Sequence, residues 1–145
     1  SLQGGSTYEA FAQGIRDESL ALGIEASSPS YLETVFRTNV AASYGAGRLS
    51  QVRSAAVRAA RPYVQFRATM DSRTRDTHAE LNGLVFRQSD DWTKYAPPLD
   101  FNCRCVCVSR RADQVDESRV TDPSTIEYKP RFNQTPTLDL PADAG

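Results

Sequence analysis

The hydrophobic period of the sequence changes at Pro62, and this change limits the chain to a fold that mixes helices with a sheet. Before Pro62 the apolar residues recur at intervals of three and four, as they do along one face of a helix. From Tyr63 to Thr69 apolar and polar residues alternate, which is typical of a strand with one buried face. The sequence therefore predicts an α+β fold with N-terminal helices packed on a small, mainly antiparallel sheet.

Two helices are predicted before Pro62. The first covers residues 7–22 and follows a capping-box pattern, in which a hydroxyl side chain precedes a glutamate by three positions. The second begins at Ser30 and continues towards Pro62. Gly45 and Gly47 weaken it, because a glycine inside a helix costs roughly 1 kcal/mol relative to alanine. We expect the second helix to bend or restart at these glycines.

The part after Pro62 alternates between strands and polar segments. We expect strands over residues 63–69, 84–86 and 103–108, with a short helix over 72–81. Residues 112–145 are acidic and rich in proline, which predicts an extended or partly disordered arm that contributes little to the core.

Length and composition fit one globular domain. The chain has 145 residues, of which 39% are hydrophobic and 24% charged. The sequence contains no run of 18 apolar residues, which argues against a transmembrane helix. The net charge is −1, but the basic residues are mostly arginine and lie in the middle of the sequence. An arginine-rich middle could contact DNA, although an ion-paired surface explains the same pattern.

Three regions are expected along the chain. Residues 1–30 contain the first helix, preceded by a short segment that does not begin with Met and that we interpret as a cloning remnant or the cut edge of a longer protein. Residues 31–111 form the main domain, and residues 112–145 form the arm.

The histidine and the cysteines are the residues best suited to metal or nucleophile chemistry. His78 is the single histidine, and the three cysteines, Cys103, Cys105 and Cys107, lie close together. An odd, clustered cysteine count argues against a secreted disulfide framework and favours a reducing compartment.

Three interpretations of these residues stay open. Zinc accepts cysteine sulfur and histidine nitrogen together, so His78, Cys103 and Cys105 would supply three ligands, with an aspartate or water as the fourth. The thiols could instead be small buried residues of a core strand. A Cys–His nucleophilic pair oriented by Asp76 or Asn102 is the third interpretation. No cysteine is followed by a strand-to-helix elbow, so we predict no catalytic residue.

Several separated motifs occur in an order that matches a known family. The sequence resembles the phage Mu F-like head-morphogenesis domain over about residues 31–108. The matching motifs are Phe36-Arg37-Thr38, the Asp71-Ser72-Arg73-Thr74-Arg75-Asp76-Thr77-His78 run continuing to Gly83, and Pro97-Pro98 followed by Asn102-Cys103-Arg104-Cys105.

The resemblance implies a structural, non-enzymatic minor head protein of a tailed double-stranded DNA phage or prophage. Its implied partners are portal or capsid protein, and double-stranded DNA is a further expected contact. Its implied location is the virion head, or the bacterial cytoplasm for a prophage product. We also expect the C-terminal arm to dock on another subunit and so support a homo-oligomer.

The resemblance further implies that the motif residues form one cluster. Because the 84–102 segment is long enough to fold back, we expect His78, Cys103 and Cys105 to lie within one side-chain reach of each other, with zinc as a candidate cofactor. Arg37 and Thr38 are expected to face inward towards this segment. The remaining members of the predicted polar cluster are Asp71, Arg73, Thr74, Arg75, Asp76, Asn102 and Arg104.

Two other functions remain as alternatives. An ADP-ribosyltransferase-like effector would fit the Arg-Thr helix beside a small sheet, although no convincing Glu-x-Glu or Ser-Thr-Ser element occurs on a strand. A zinc-stabilised DNA-binding module would fit the His–Cys residues together with the arginine-rich middle. DNA binding that weakens with salt would indicate the module, and NAD hydrolysis would indicate the enzyme.

Overall fold

A computed structural model of the protein describes residues 7–23, 25 and 27–132, and it has the predicted α+β architecture. Short 3-10 turns lie at 93–95, 112–114, 117–119 and 123–125. The longer elements, in chain order, are α1 (Tyr8–Ala21), α2 (Pro29–Arg53), α3 (Ala55–Ala60), β1 (Tyr63–Arg67), α4 (Asp76–Leu81), β2 (Val85–Arg87) and β3 (Val106–Arg110).

The chain divides into two compact units, and residues 1–40 form the first. The Thr7 hydroxyl accepts a hydrogen bond from the Ala10 amide and so caps α1. Tyr8 and Phe11 pack on Phe36 of α2, with ring centroids 5.8 and 5.4 Å apart. An aromatic cluster therefore joins α1 to the first turns of α2.

Helix α2 runs without a break through both glycines and ends at Arg53, so the predicted bend or restart at the glycines is wrong. The restart comes at Ser54, whose hydroxyl caps α3. Gly45 has a packing role, because a Cβ atom there would press on the Pro97 carbonyl oxygen and lie 2.8 Å from Cδ of Pro98. The absence of a side chain lets the helix approach the Pro97–Pro98 loop.

The second unit, residues 41–145, contains a three-stranded antiparallel sheet in the order β2-β1-β3. Val64 and Phe66 of the central strand are fully buried, and Phe66 pairs with Cys107 of β3. Trp92 and Tyr95, from the polar stretch between the predicted strands 84–86 and 103–108, are among the largest buried side chains. The rest of the core comes from Leu49, Val52, Leu81, Phe86, Ala96, Leu99 and Cys105.

Helix α4 and strand β3 begin three or four residues later than predicted. Helix α4 begins at Asp76, because residues 71–74 form a turn in which the Thr74 amide donates to the Asp71 carbonyl. Strand β3 begins at Val106, so Cys103 and Cys105 precede it. Both thiols therefore lie in an irregular segment, where the alternation of a strand does not apply.

The segment after β3 packs on the core. Pro123 is buried, and Ile126 and Tyr128 contact core residues. Val120 forms a parallel bridge with Val85 at the edge of the sheet. The prediction that this region contributes little to the core is therefore wrong for residues 112–132. Residues 133–145 lie outside the described part of the chain, and docking of the arm on another subunit stays a prediction.

Candidate functional site

The structure brings His78, Cys103 and Cys105 together. His78 lies in α4 and is 2% exposed. Its Nδ1 atom is 3.9 Å from Sγ of Cys103 and 3.7 Å from Sγ of Cys105. One ligand atom from each of the three residues lies within 4.8 Å of the other two. We call these three residues the His–Cys cluster.

A turn at Asn102 precedes the two cysteines of this cluster. Asn102 has a φ of 56°, and the Cys103 amide donates to the Asp100 carbonyl at 3.2 Å. In an extended strand, residues two apart are about 6.6 Å from each other, from a rise of about 3.3 Å per residue. The irregular backbone before β3 allows Cys103 and Cys105 a closer approach than that.

Tyr128 contacts the other side of the His78 ring. Its phenolic oxygen lies 3.3 Å from Nε2, and the two rings meet edge to face at 5.9 Å. With its proton on Nε2, where it is donated to Tyr128, the imidazole presents the lone pair of Nδ1 to both sulfurs. The contact with Tyr128 is compatible with this tautomer, in which Nδ1 can act as a ligand.

The thiols differ in their ionisation. A hydrogen bond from the Cys105 thiol lowers the pKa of Cys103 to about 5, and the same bond raises the pKa of Cys105. The pair therefore holds one thiolate more readily than two.

Cys107 is separate from the cluster: its Sγ lies 3.9 Å from the Tyr95 carbonyl, and burial raises its pKa to about 12. Cys107 is a core residue.

Asp71 and Arg104 connect the turn before α4 to the cysteine segment. The Arg104 guanidinium donates to both carboxylate oxygens of Asp71 at 2.6 Å each. The Asp71 carboxylate also accepts from the Arg73 amide at 2.9 Å and from the Thr74 hydroxyl. The bonds from Arg104 are the main reason that the pKa of Asp71 lies well below its ordinary value. These four predicted cluster residues do lie together, at the surface.

Other predicted members of the polar cluster have different partners. Arg75 pairs with Asp100 at 3.8 Å, and Arg131 approaches the same carboxylate at 3.4 Å. Asp76 is exposed in the first turn of α4, and Asn102 is exposed at the turn described above. The sequence indicated neither Asp100 nor Arg131 as a partner.

Arg37 does not pack inward. Its side chain is 64% exposed and forms an ion pair with Glu33 one turn earlier on the same helix, at 2.6 Å. The predicted inward packing of Arg37 is therefore wrong, because an i,i+4 pair at the surface satisfies the guanidinium. The hydroxyl oxygen of Thr38 is buried within the first unit's part of α2.

The second unit also contains an apolar groove of about 410 Å³. Two large apolar side chains on its wall remain exposed, Tyr44 at 82% and Val106 at 50%. We call this feature the α2 groove. Its further lining comes from Ala41, Gly45, Arg48, Leu49, Val52, Trp92, Ala96, Pro97, Pro98 and residues 103–105 and 107.

No sequence pattern indicated the α2 groove or Tyr128. Tyr44 continues a helical stripe formed by Leu32, Phe36 and Val40, which predicts burial, whereas the alternation around Val106 does place it opposite the buried Cys105 and Cys107. Tyr128 lies in an acidic, proline-rich stretch without periodicity, so no pattern marks it as a partner of His78.

The family of "Phage Mu protein F like protein" matches residues 1–108. The chain belongs to this family. The match includes the motifs that contain His78, Cys103 and Cys105. It begins at residue 1, whereas the motifs described in the sequence analysis begin after residue 30. It ends within β3, so that Tyr128 lies beyond it.

Two curated relatives agree with the Mu F-like assignment. The chain is 35% identical over 127 residues to the "Putative capsid assembly protein F" of Escherichia phage Mu, an alignment that covers 87% of this chain and 28% of the relative. It is 37% identical over 83 residues to the "Mu-like prophage FluMu F protein" of Haemophilus influenzae, covering 57% of this chain and 20% of the relative. The chain thus spans less than a third of either relative's length.

Two further findings concern structure. No solved structure matches this Mu F-like chain. Among the residues that the structure describes, no helix is both long and apolar enough to cross a membrane.

Proposed function

We propose that this chain is a structural, non-enzymatic part of a phage head-assembly protein, and that its α2 groove docks the capsid subunit of the same phage. Its place is then the phage head, or the bacterial cytoplasm when it is made from a prophage. Membership of the Mu F-like family supports the assembly role, and the name of the phage Mu relative supports a capsid-related partner.

The observation that carries the docking proposal is the exposed apolar surface of the α2 groove. Tyr44 projects from the helix with most of its surface in water, and Val106 of β3, which also lines the groove, is half exposed. Aromatic and aliphatic side chains that anchor in pockets contribute most of the energy of protein interfaces. A capsid segment that inserts an apolar side chain between these walls would cover both.

Two contacts connect the elements that line the groove, which favours binding of a preformed shape. Arg48 donates to the Cys107 carbonyl at 3.3 Å and so connects α2 to β3. The close approach of Gly45 to the Pro97–Pro98 loop connects the same helix to the other wall. A groove fixed in this way loses little conformational entropy when it binds.

DNA contact stays a prediction. Many arginines already pair with carboxylates, including Arg87 with Glu117, Arg104 with Asp71 and Arg111 with Asp113. Paired arginines release fewer counterions on binding to phosphate, so these pairs reduce the charge available for DNA. Self-association and portal contact likewise stay predictions.

Co-expression with the capsid protein of the same phage tests the proposal. We expect the two proteins to co-elute in gel filtration, and Tyr44→Glu and Val106→Asp each to weaken that association at least tenfold. Tyr31→Glu is the matched control, because Tyr31 is also exposed but lies outside the α2 groove. Association with the capsid protein that both groove variants leave unchanged would contradict the docking site, and association with the portal protein alone would contradict the proposed partner.

A further inference from the structure

We infer that the His–Cys cluster binds one zinc ion through Nδ1 of His78 and the two sulfurs of Cys103 and Cys105. Cys103 and Cys105 also line the α2 groove, but the inference rests on the distances between the ligand atoms and does not depend on the proposed docking of capsid protein. The site would have a structural role, since it joins α4, the cysteine segment and the C-terminal segment.

The distances in the cluster are close to those of a tetrahedral zinc site. With Zn–S near 2.3 Å and Zn–N near 2.0–2.1 Å, tetrahedral angles place sulfur and nitrogen about 3.6 Å apart and two sulfurs about 3.8 Å apart. The observed sulfur–nitrogen distances are 3.7 and 3.9 Å. Every ligand atom lies within 4.8 Å of the others. Zinc binding therefore requires shifts of a few tenths of an ångström in the imidazole and about 1 Å at most between the sulfurs.

The donor set is chemically selective. One imidazole and two thiolates suit zinc, whereas calcium, magnesium and manganese prefer oxygen ligands. Two thiolates also neutralise the two charges of the ion, which suits a site in which His78 and Cys105 are buried. Any proton that a thiol still carries is released to solvent when the metal binds.

A fourth ligand has room to bind. A small polar pocket of about 10 Å³ opens against the cluster, and the rest of its lining comes from Thr69, Arg73, Thr74, Arg75, Asn102 and Arg104. That volume is close to what one water molecule occupies. We therefore assign the fourth position to a water molecule.

The contact between His78 and Tyr128 is a second, independent observation that favours a ligand role. A histidine that binds metal through one nitrogen almost always donates its other N–H to an oxygen, which fixes the ring and its tautomer. The phenolic oxygen of Tyr128 lies 3.3 Å from Nε2, whereas Nδ1 faces both sulfurs. The arrangement therefore contains three candidate ligands, and it also contains Tyr128, which would orient one of them.

Metal content and X-ray absorption of the full chain test the inference without any substitution. The chain is purified without a metal-affinity tag, stripped with a chelator and reloaded with zinc alone. We expect about one zinc per chain, with two sulfur neighbours near 2.3 Å and nitrogen or oxygen neighbours near 2.0–2.1 Å. Failure to retain zinc, or a shell of nitrogen and oxygen atoms alone, would overturn the assignment.

Three variants then locate the ion, and Cys107 supplies the control. We expect Cys103→Ser and Cys105→Ser each to abolish stoichiometric zinc retention, and Cys107→Ala to keep it, because that thiol faces Tyr95 in the core. Tyr128→Phe should retain the two-sulfur spectrum but bind zinc about 10–100-fold more weakly, as removal of a partner behind a ligand does. Zinc retention by both serine variants, or its loss in Cys107→Ala, would contradict the site.

Discussion

Nε2 of His78 lies 3.3 Å from the phenolic oxygen of Tyr128, although 50 residues separate them in sequence. His78 belongs to the stretch that matches the family, and Tyr128 lies beyond it. The contact therefore places a residue of the C-terminal segment directly behind the best candidate ligand of the molecule. It also means that the site cannot be understood from the family motifs alone.

The first prediction concerns this contact in metal-free protein. Tyr128→Phe keeps the ring but removes the hydroxyl, so one polar contact to a buried imidazole is lost. We expect a loss of about 1 kcal/mol in the free energy of unfolding, measured by urea denaturation in the presence of a chelator. Tyr31→Phe, at an exposed tyrosine, should change the free energy by much less. Equal effects of the two substitutions would show that the hydroxyl of Tyr128 has no role in stability.

Gly45 and Gly47 form a natural pair for a second prediction, because they lie two residues apart in the same helix. A Cβ at Gly45 would meet Pro97 and Pro98, whereas a Cβ at Gly47 would meet nothing within 4 Å. We expect Gly45→Ala to destabilise the protein by about 1–3 kcal/mol through overpacking. Gly47→Ala should stabilise it by up to about 1 kcal/mol through helix propensity. Thermal or urea unfolding of the two variants measures both, and effects of the same sign would refute this account of the helix–loop contact.

Glu117 supports a pH-dependent prediction. The Tyr63 hydroxyl donates to one of its oxygens, and Nε of Arg87 donates to the other at 3.1 Å. Both bonds, with that from Tyr63 the larger contribution, lower the pKa of Glu117 below its ordinary value of 4.5. A lowered pKa in the folded state means that the carboxylate stabilises the fold above pH 4.5, and that this stabilisation is lost as the pH falls through the lowered pKa.

Glu117→Gln should therefore be less stable than the unmodified chain at pH 7, with a small difference because the group is exposed to solvent. The difference should shrink as the pH falls below 4.5. Urea unfolding at a series of pH values measures this, with Glu80→Gln as an exposed control. A difference that grows towards acid pH would contradict the assigned direction of the shift.

The fourth prediction concerns the C-terminal segment. Ile126 and Tyr128 pack on the core, and the Tyr95 hydroxyl lies 3.3 Å from the carbonyl oxygen of each. A chain that ends at Arg111 leaves this surface uncovered, so we expect its urea midpoint to fall well below that of a chain that ends at Phe132. Limited proteolysis should also be slow within residues 112–132 of the intact protein. Rapid cleavage there with unchanged stability would contradict the observed packing.

Much of the fold could be predicted because local patterns agree with it. The alternation around Val64 and Phe66 identified the central strand, and the helical spacing before Pro62 identified α1 and α2. The behaviour of Gly45 could not be predicted, because the intrinsic cost of a helical glycine is local, whereas its benefit depends on a loop about 50 residues away. Trp92 and Tyr95 lie in a polar stretch, and their burial is likewise a consequence of tertiary packing.

The candidate site could be predicted in part. Residue chemistry and the family motifs pointed to His78, Cys103 and Cys105, and the structure brings these three together. Asp71 and Arg104 are both members of the predicted polar cluster, and the structure pairs them directly. The predicted inward position of Arg37 is wrong, because Glu33, four residues earlier on the same helix, pairs with it at the surface. No sequence pattern indicated Tyr128, because a contact between residues 50 apart produces no hydrophobic periodicity in the sequence.

The packing of residues 112–132 on the sheet also sets an order of events during translation. The ribosome synthesises Phe86 and Tyr95 well before Ile126 and Tyr128, which pack on the same core. The bridge between Val120 and Val85 likewise cannot form until Val120 has been synthesised, after all three strands of the sheet. A nascent chain that has just completed β3 therefore presents apolar surface to the cell, as a folding intermediate does. We therefore expect the domain to close only after residue 128 has left the ribosome, and its exposed core to be open to chaperones until then.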